Sequence, residues 1–297
     1  MKPAPFDYYA PETPEEALAL LAEHGSDARP LAGGQSLVPL INMRMAQPAV
    51  LIDLNRCAGL DGLDDTGDAL VFGPMVRQRA LETSPLVRAA CPLATQAMPH
   101  MGHATVRNRG TVGGSLSHAD PSAELPGIAM ALDAEMIADG PNGQRSIAAR
   151  DFFIAALATA LEPDEMLREI RLPKAPAGAH AAFAEIGNHV GGLAIVGVAA
   201  QVEMDPAGAC KTAVLAAIGA GDRPLRLSSA EAALASEVLT DASIEAAAEA
   251  ATGDVDPFDD LHATAHWRRR AIVAMVAQAL GEIAGKALGE ISGGAAS

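Results

Sequence analysis

The sequence predicts an α+β protein built from two successive domains. Three observations predict it. A proline-punctuated hinge, Pro173-Lys174-Ala175-Pro176-Ala177-Gly178, divides the chain. Ahead of it, strand-like and helix-like segments are interspersed. After it, three strand-like runs are followed only by helices. The 297 residues suffice for two or three packed domains, and 49% of them are hydrophobic, so a sizeable core is expected. Aromatics make up only 3%, so that core is built from small aliphatics.

Along the first part, Thr13-Pro14-Glu15-Glu16 opens a helix. Thr13 caps it, Pro14 suits the first turn, Glu16 completes a capping box, and the helix stops near Gly25. Residues 29–31 and 50–54 read as strands, as do 69–73, 132–138 and 166–172. Helical stretches are expected from 80 to 98 and from 152 to 160, with a polar, glycine-containing stretch from 100 to 126 between them. Beyond the hinge, residues 181–186, 193–204 and 212–218 read as strands. Residues 229–235, 243–251 and 261–288 read as helices, the last with apolar residues at helical spacing.

Composition excludes several function classes. The net charge is −16 and no Lys/Arg stripe stands out, so nucleic acid is not an expected partner. The one basic run, Arg268-Arg269-Arg270, reads as a solvated or partner-facing helical turn. Cys57, Cys91 and Cys210 are widely separated, without the spacing that holds an iron–sulfur cluster or a structural zinc. Their sparse, odd count suits a reducing compartment, and the N-terminal residues lack an apolar signal segment, so a cytoplasmic location is expected. No apolar run of about eighteen residues predicts a membrane span. His100 and His103 read as loop and packing histidines rather than metal ligands, and Trp267 as a helix-packing anchor. His118 and Asp120 near Ser115 lack the nucleophile elbow of a hydrolase.

Two segments share one sequence design: Leu31-Ala32-Gly33-Gly34-Gln35-Ser36-Leu37 and Gly110-Thr111-Val112-Gly113-Gly114-Ser115. Each sets paired glycines beside a small hydroxyl residue. Glycines let a backbone turn sharply and bring N–H groups close to an anion, and successive N–H groups form a nest for phosphate oxygens. Neither segment fits the Rossmann or P-loop fingerprint. A pyrophosphate held between two such loops is the ligand they suggest. Arg107 and Arg109 flank the second loop, either to neutralise that ligand or to serve a surface or subunit contact.

These residues carry a resemblance. Residues 31–39, with Asn42-Met43-Arg44 after them, resemble the first FAD loop of the medium subunits of molybdenum hydroxylases, the family of carbon monoxide dehydrogenase and the xanthine dehydrogenase flavin domain. Residues 107–115, continuing to His118-Ala119-Asp120-Pro121-Ser122-Ala123-Glu124, resemble the second. The likeness covers nearly the whole chain.

The resemblance implies a two-lobed FAD-binding domain of the vanillyl-alcohol-oxidase (PCMH) type over residues 1–175, with lobes of about 1–57 and 58–175. It implies a C-terminal domain over 178–290 with a three-stranded antiparallel sheet and helices. It places non-covalent FAD against Ala32, Gly33, Gly34, Gln35, Ser36 and Leu37 on one side and Thr111, Gly113, Gly114 and Ser115 on the other. Asp120 belongs to the same second motif, and Glu124 takes the position of a carboxylate on the ribose side. Leu167 matches an apolar contact, Met101 falls where some members have an aromatic, and Leu193 matches a residue covering one face of the isoalloxazine.

By the same resemblance, the chain relays electrons from two-iron iron–sulfur clusters in a small partner subunit to an external acceptor. A large molybdenum subunit oxidises the substrate, and the whole forms a dimer of heterotrimers. The chain departs from the family within residues 183–192, where Glu185 stands at a Lys-like position and Gly192 at an Asp-like one. Two other classes stand beside this reading: a stand-alone FAD-dependent oxidoreductase, and a non-redox assembly protein that retains the fold.

Overall fold

A computed structural model describes residues 2–189, 191–205 and 207–294; Val190, in the departure segment, lies outside them. The chain packs as two units that interleave in sequence. The first comprises Met1–Thr83, His103–Ala119 and Asp133–Pro173; the second comprises Ser84–Gly102, Asp120–Leu132 and Lys174–Ser297. Two inserts of the N-terminal half, Ser84–Gly102 and Asp120–Leu132, thus cluster with the C-terminal residues.

In the first unit, Asp7–Tyr9, Val50–Asp53 and Ala28–Leu31 form a parallel sheet with Val50–Asp53 in the middle. Helix Pro14–His24 covers it, burying Ala17 and Leu21 against Ala28, Val50 and Ile52. Thr13 Oγ1 accepts the Glu16 N–H as expected, but the Glu16 carboxylate accepts from Glu12 N–H at 2.9 Å. An antiparallel five-stranded sheet runs Leu63–Asp65, Ala69–Phe72, Met166–Pro173, Glu135–Gly140 and Gly143–Ala148. Residues 152–160, expected as a helix, fold instead as the small hairpin Phe153–Ala155 and Ala158–Thr159. Leu157 takes the left-handed φ of 58° that the tight turn requires, a conformation a helix cannot contain.

In the second unit, Ala179–Gly187, Ala194–Met204 and Cys210–Ile218 pair antiparallel as the sequence predicts. A two-residue strand, Leu225–Arg226, adds a fourth at the edge and was too short to show any periodicity. Both faces of this sheet are covered. Ala182, Ala184, Val196, Val198, Ala200 and Val202 pack under helices Ser228–Leu234, Asp241–Ala250 and Ala265–Gly294. Helices Pro92–Ala97 and Glu124–Ala131 pack on the strands as well. Burial on both faces explains why Ala194–Met204 reads as a nearly unbroken apolar run.

Arg268 does not belong to a solvated turn. It is buried, with Nη2 on Asp260 Oδ2 at 2.6 Å and Nη1 donating to the carbonyls of Gly219 (2.7 Å) and Ile195. Arg269 and Arg270 are exposed. Trp267 is 38% exposed and so is not a core anchor. Among the described residues, no helix is long and apolar enough to cross a membrane.

Candidate functional site

The first unit brings the two Gly-Gly segments into contact. Strand Ala28–Leu31 delivers residues 32–36 as a turn, in which Gly34 adopts a left-handed φ of 73°, and helix Leu37–Asn42 follows. Ser36 stands at the helix N-cap, but its hydroxyl makes no capping bond. Gln35 donates from Nε2 to Gly33 O at 3.2 Å, tightening the turn. Gly33 abuts the second segment: a Cβ there would lie 2.3 Å from Arg109 O and 2.8 Å from Gly110 Cα. Such close backbone approach leaves room for glycine alone.

The shared sequence design does not give a shared structure. Residues 112–118, expected as part of a polar loop, form helix Val112–His118, capped by Thr111. Its N–H groups are already engaged. Val112 donates to Val76 O and Gly113 to Pro74 O, both at 2.9 Å, while Gly114 donates to Thr111 Oγ1 at 3.0 Å. The second segment is therefore a packed wall carrying hydroxyls, not a second nest of free amides. Gly113 is small because a Cβ would lie 2.4 Å from Pro74 Cβ. Gly114 faces the first segment, where its Cβ would sit 3.4 Å from the Ala32 Cβ.

The two arginines that flank this wall have different fates. Arg107 is buried and holds Glu82 with two bonds of 2.8 and 2.9 Å, and Arg79 joins the same carboxylate at 2.7 Å. These bonds and the adjoining Arg79 hold the Glu82 carboxyl below the usual range despite its partial burial. Arg107 is thus a structural partner of Glu82. Arg109 keeps its side chain exposed. Leu167 is buried beside a bulge between Leu167 and Glu169 in strand Met166–Pro173.

The remaining predicted site residues belong to the second unit. Met101 is buried, Leu193 is 61% exposed, and Asp120 accepts the Ser122 N–H at 2.9 Å in the turn before helix Glu124–Ala131. Glu124, the first residue of that helix, is only 4% exposed. Within the same unit His100 Nδ1 lies 3.3 Å from Glu185 Oε1, and the His100 ring packs against Phe183. The bond to Glu185 raises the His100 pKa. The second carboxylate oxygen of Glu185 is buried without a partner among the described residues.

Burial, with the nearby Glu185 adding to it, pushes the Glu124 carboxyl from 4.5 up to about 7. A folded pKa above the unfolded one means that stability is fully present at low pH and is lost as pH rises through about 7. Glu124→Gln should remove this loss in the flavin-free chain. By about pH 9 the variant should be the more stable by roughly 3 kcal/mol. Unfolding at a series of pH values checks it; parallel wild-type and variant profiles would refute the assignment.

The arrangement in the first unit fits a dinucleotide's pyrophosphate: a sharp turn with uncharged donors, closed by a hydroxyl-bearing wall at a distance that only glycine permits. The comparisons with known proteins concern the family of the chain as a whole. Residues 4–175 match the family described as FAD binding domain in molybdopterin dehydrogenase, and residues 181–283 match the CO dehydrogenase flavoprotein C-terminal domain. The chain belongs to the FAD-binding medium subunits of the molybdenum hydroxylases, a family of flavoprotein oxidoreductase subunits.

Among its relatives, the 6-hydroxypseudooxynicotine dehydrogenase complex subunit alpha of Paenarthrobacter nicotinovorans is 39% identical over 94% of this chain and 95% of its own. The carbon monoxide dehydrogenase medium chain of Hydrogenophaga pseudoflava is 36% identical over 94% and 97%. A solved structure of carbon monoxide dehydrogenase from that organism superposes with a TM-score of 0.93 at 37% identity, covering 97% of this chain and 99% of the other. Quinoline 2-oxidoreductase from Pseudomonas putida 86 gives 0.92 at 34%, covering 97% and 99%.

Sequence reasoning missed several residues around the first-unit site. Arg77, Asn55, Asp53 and Tyr8 form a connected polar network behind the two segments. Asp53 and Asn55 are near neighbours, but Arg77 lies 22 residues from Asn55 and Tyr8 lies 45 from Asp53, so no local pattern could signal the whole network.

Proposed function

We propose that this chain is the FAD-carrying electron-transfer subunit of a molybdenum hydroxylase complex. It receives electrons from two-iron iron–sulfur clusters in a small partner subunit and passes them to an external acceptor, while a large molybdenum subunit oxidises the organic substrate. The assembly is a dimer of such heterotrimers. The observation that carries this reading is the close backbone approach of Gly33 to the start of the second Gly-Gly segment, at the Arg109–Gly110 peptide. It is supported by full-length likeness to subunits whose names place them in dehydrogenase complexes.

FAD, when bound, supplies redox chemistry that takes electrons singly and releases them as a pair. The protein's part is to bind and orient it. Residues 32–36 receive the pyrophosphate with neutral donors, and Leu37 starts the helix behind them. Thr111 and Ser115 are the hydroxyl residues assigned to it on the wall, Thr111 also capping the Gly114 N–H, while Gly113 and Gly114 keep the wall close. FAD is held non-covalently. The contacts assigned to Leu167, Met101, Asp120, Glu124 and Leu193 rest on their match to the family's sequence pattern.

Anaerobic stopped-flow tests the relay. In the complex purified through this chain, substrate should reduce the iron–sulfur clusters first and the flavin after them. The chain alone should show, at most, diaphorase-like transfer of electrons from an added reductant such as a reduced nicotinamide to artificial dyes. Substrate-driven flavin reduction in the chain alone, at the rate of the complex, would instead identify a stand-alone oxidoreductase.

A further inference from the structure

We propose that Arg77 and Asn55 form a strut that sets the spacing and the peptide orientation of the two Gly-Gly segments, making both positioning residues for the cofactor. The proposal rests on the reading of those segments as the pyrophosphate site. Arg77 Nη1 donates to the carbonyl of Arg109, the residue that leads directly into the second segment, at 2.6 Å. Its Nη2 donates to Asn55 Oδ1 at 2.7 Å. Asn55 in turn donates from Nδ2 to the carbonyl of Ala32, in the first segment, at 2.9 Å. Two side chains thus connect the first segment's carbonyl to the one that leads into the second without a gap.

The far end of the strut is anchored too. Asn55 Nδ2 and its backbone N–H both donate to Asp53 Oδ1, at 2.5 and 2.9 Å. Tyr8 Oη donates to the other Asp53 oxygen at 2.5 Å, from the neighbouring strand of the parallel sheet. Partial burial would raise the Asp53 pKa, but these hydrogen bonds from Tyr8 and Asn55 outweigh it and hold the carboxylate ionised.

The geometry gives the strut a specific consequence. The peptide bond is planar and trans, so a carbonyl and the following N–H point in opposite directions. With the Ala32 carbonyl tied to Asn55, the Gly33 N–H is turned away from the strut. The Arg109 carbonyl is the same atom that Gly33 abuts. Arg77 fixes the wall against which the first segment rests. The fork of the guanidinium is essential, because one nitrogen serves each partner.

A rival explanation is that Arg77 attracts the pyrophosphate by charge alone. Asn55→Ala separates the two, since it breaks the strut and leaves the guanidinium in place. FAD release would be followed by flavin fluorescence in the purified complex carrying Arg77→Met, Asn55→Ala or both, with Arg77→Lys as the charge-conserving variant. Each single change should speed release about tenfold, because it breaks the connected hydrogen bonds that hold the two carbonyls, the guanidinium's being charge-assisted. The double variant should match the more severe single variant within about threefold, because both belong to one unit. Arg77→Lys should recover only part of the retention. Thermal midpoints of the flavin-free chains should stay close to wild type.

Unchanged release in Asn55→Ala, full rescue by Arg77→Lys, effects that multiply in the double variant, or a collapsed thermal midpoint would each overturn the strut. Gly33→Val is the control for the underlying reading. If Gly33→Val keeps its FAD, the pyrophosphate site itself is misplaced. If Gly33→Val loses FAD while the strut variants retain it, only the strut fails.

Discussion

Gly33→Val is expected to give a folded chain that no longer retains FAD. The Cβ added at residue 33 would sit 2.3 Å from Arg109 O and 2.9 Å from Arg109 C. Both are backbone atoms, so no rotamer change relieves the overlap, and one segment must move off the other. Overpacking at a close contact costs about 1–3 kcal/mol. Routed into lost pyrophosphate contacts, that cost weakens binding by roughly 5- to 150-fold. The core of the first unit is centred on Ala17, Leu21 and Ile52, with Ala32 only at its border, and should survive. Flavin content measured beside circular dichroism checks the result. Gly114→Val should lose FAD as well, though less completely. Its Cβ would lie 2.7 Å from Thr111 Oγ1, a side-chain atom that can turn away, before reaching Ala32. Full occupancy in Gly33→Val would contradict the account of the site.

Arg268→Met should produce the largest loss of stability in the second unit. Arg268 is 5% exposed, and its guanidinium ties helix Ala265–Gly294 to the carbonyls of Ile195 and Gly219 and to Asp260. Methionine fills much of the volume but leaves two carbonyls unpaired in the interior. It also leaves the Asp260 carboxylate without its cation. Removing one partner of a buried charged network costs about 3–5 kcal/mol. Asp260 is partly exposed and recovers some solvation, so a loss near 3 kcal/mol is expected. For a unit of this size that lowers the thermal midpoint by about 10 °C.

The pair should hold across the neutral range. Burial would raise the Asp260 pKa, yet N–H groups of Ala263 and His262 and the Arg268 guanidinium bring it down to about 2. A depressed carboxylate contributes stability above its unfolded pKa of 3.8 and loses it only as pH falls through about 2. An unchanged midpoint in Arg268→Met at pH 7 would show that the buried cation ties nothing down.

Long elements with strong local signals were legible in the sequence. Thr13-Pro14 marks a helix start because a hydroxyl cap and a proline act within one turn. Strand Ala194–Met204 is legible because burial on both faces leaves an apolar run. What escaped is what local pattern cannot encode. Gly143–Ala148 is mostly exposed, so it shows no alternation, and Asp7–Tyr9 and Leu63–Asp65 are three residues each. Helix Val112–His118 hides behind two glycines that look like a loop. The available signal was Thr111 followed three residues later by the amide it caps. Arg268 looks like its exposed neighbours, and only tertiary packing distinguishes it.

The site was legible as a pair of motifs but not as a geometry. Gly33 and Gly114 point to close approach, yet what they approach, Arg109 O and Thr111 Oγ1, emerges only in the folded unit. The two motifs look equivalent in sequence. Their backbone amides show that one is a turn and the other a capped helix already satisfied by Val76 and Pro74.

The central claim is that this chain carries FAD, held without a covalent bond in the first unit's two-segment site. Acid precipitation of the chain, together with whatever subunits co-purify with it, tests this most directly. The account predicts that the yellow colour passes into the supernatant as FAD, one per chain, and is missing from the Gly33→Val preparation. Flavin remaining in the pellet, or a colourless wild-type preparation, would contradict it.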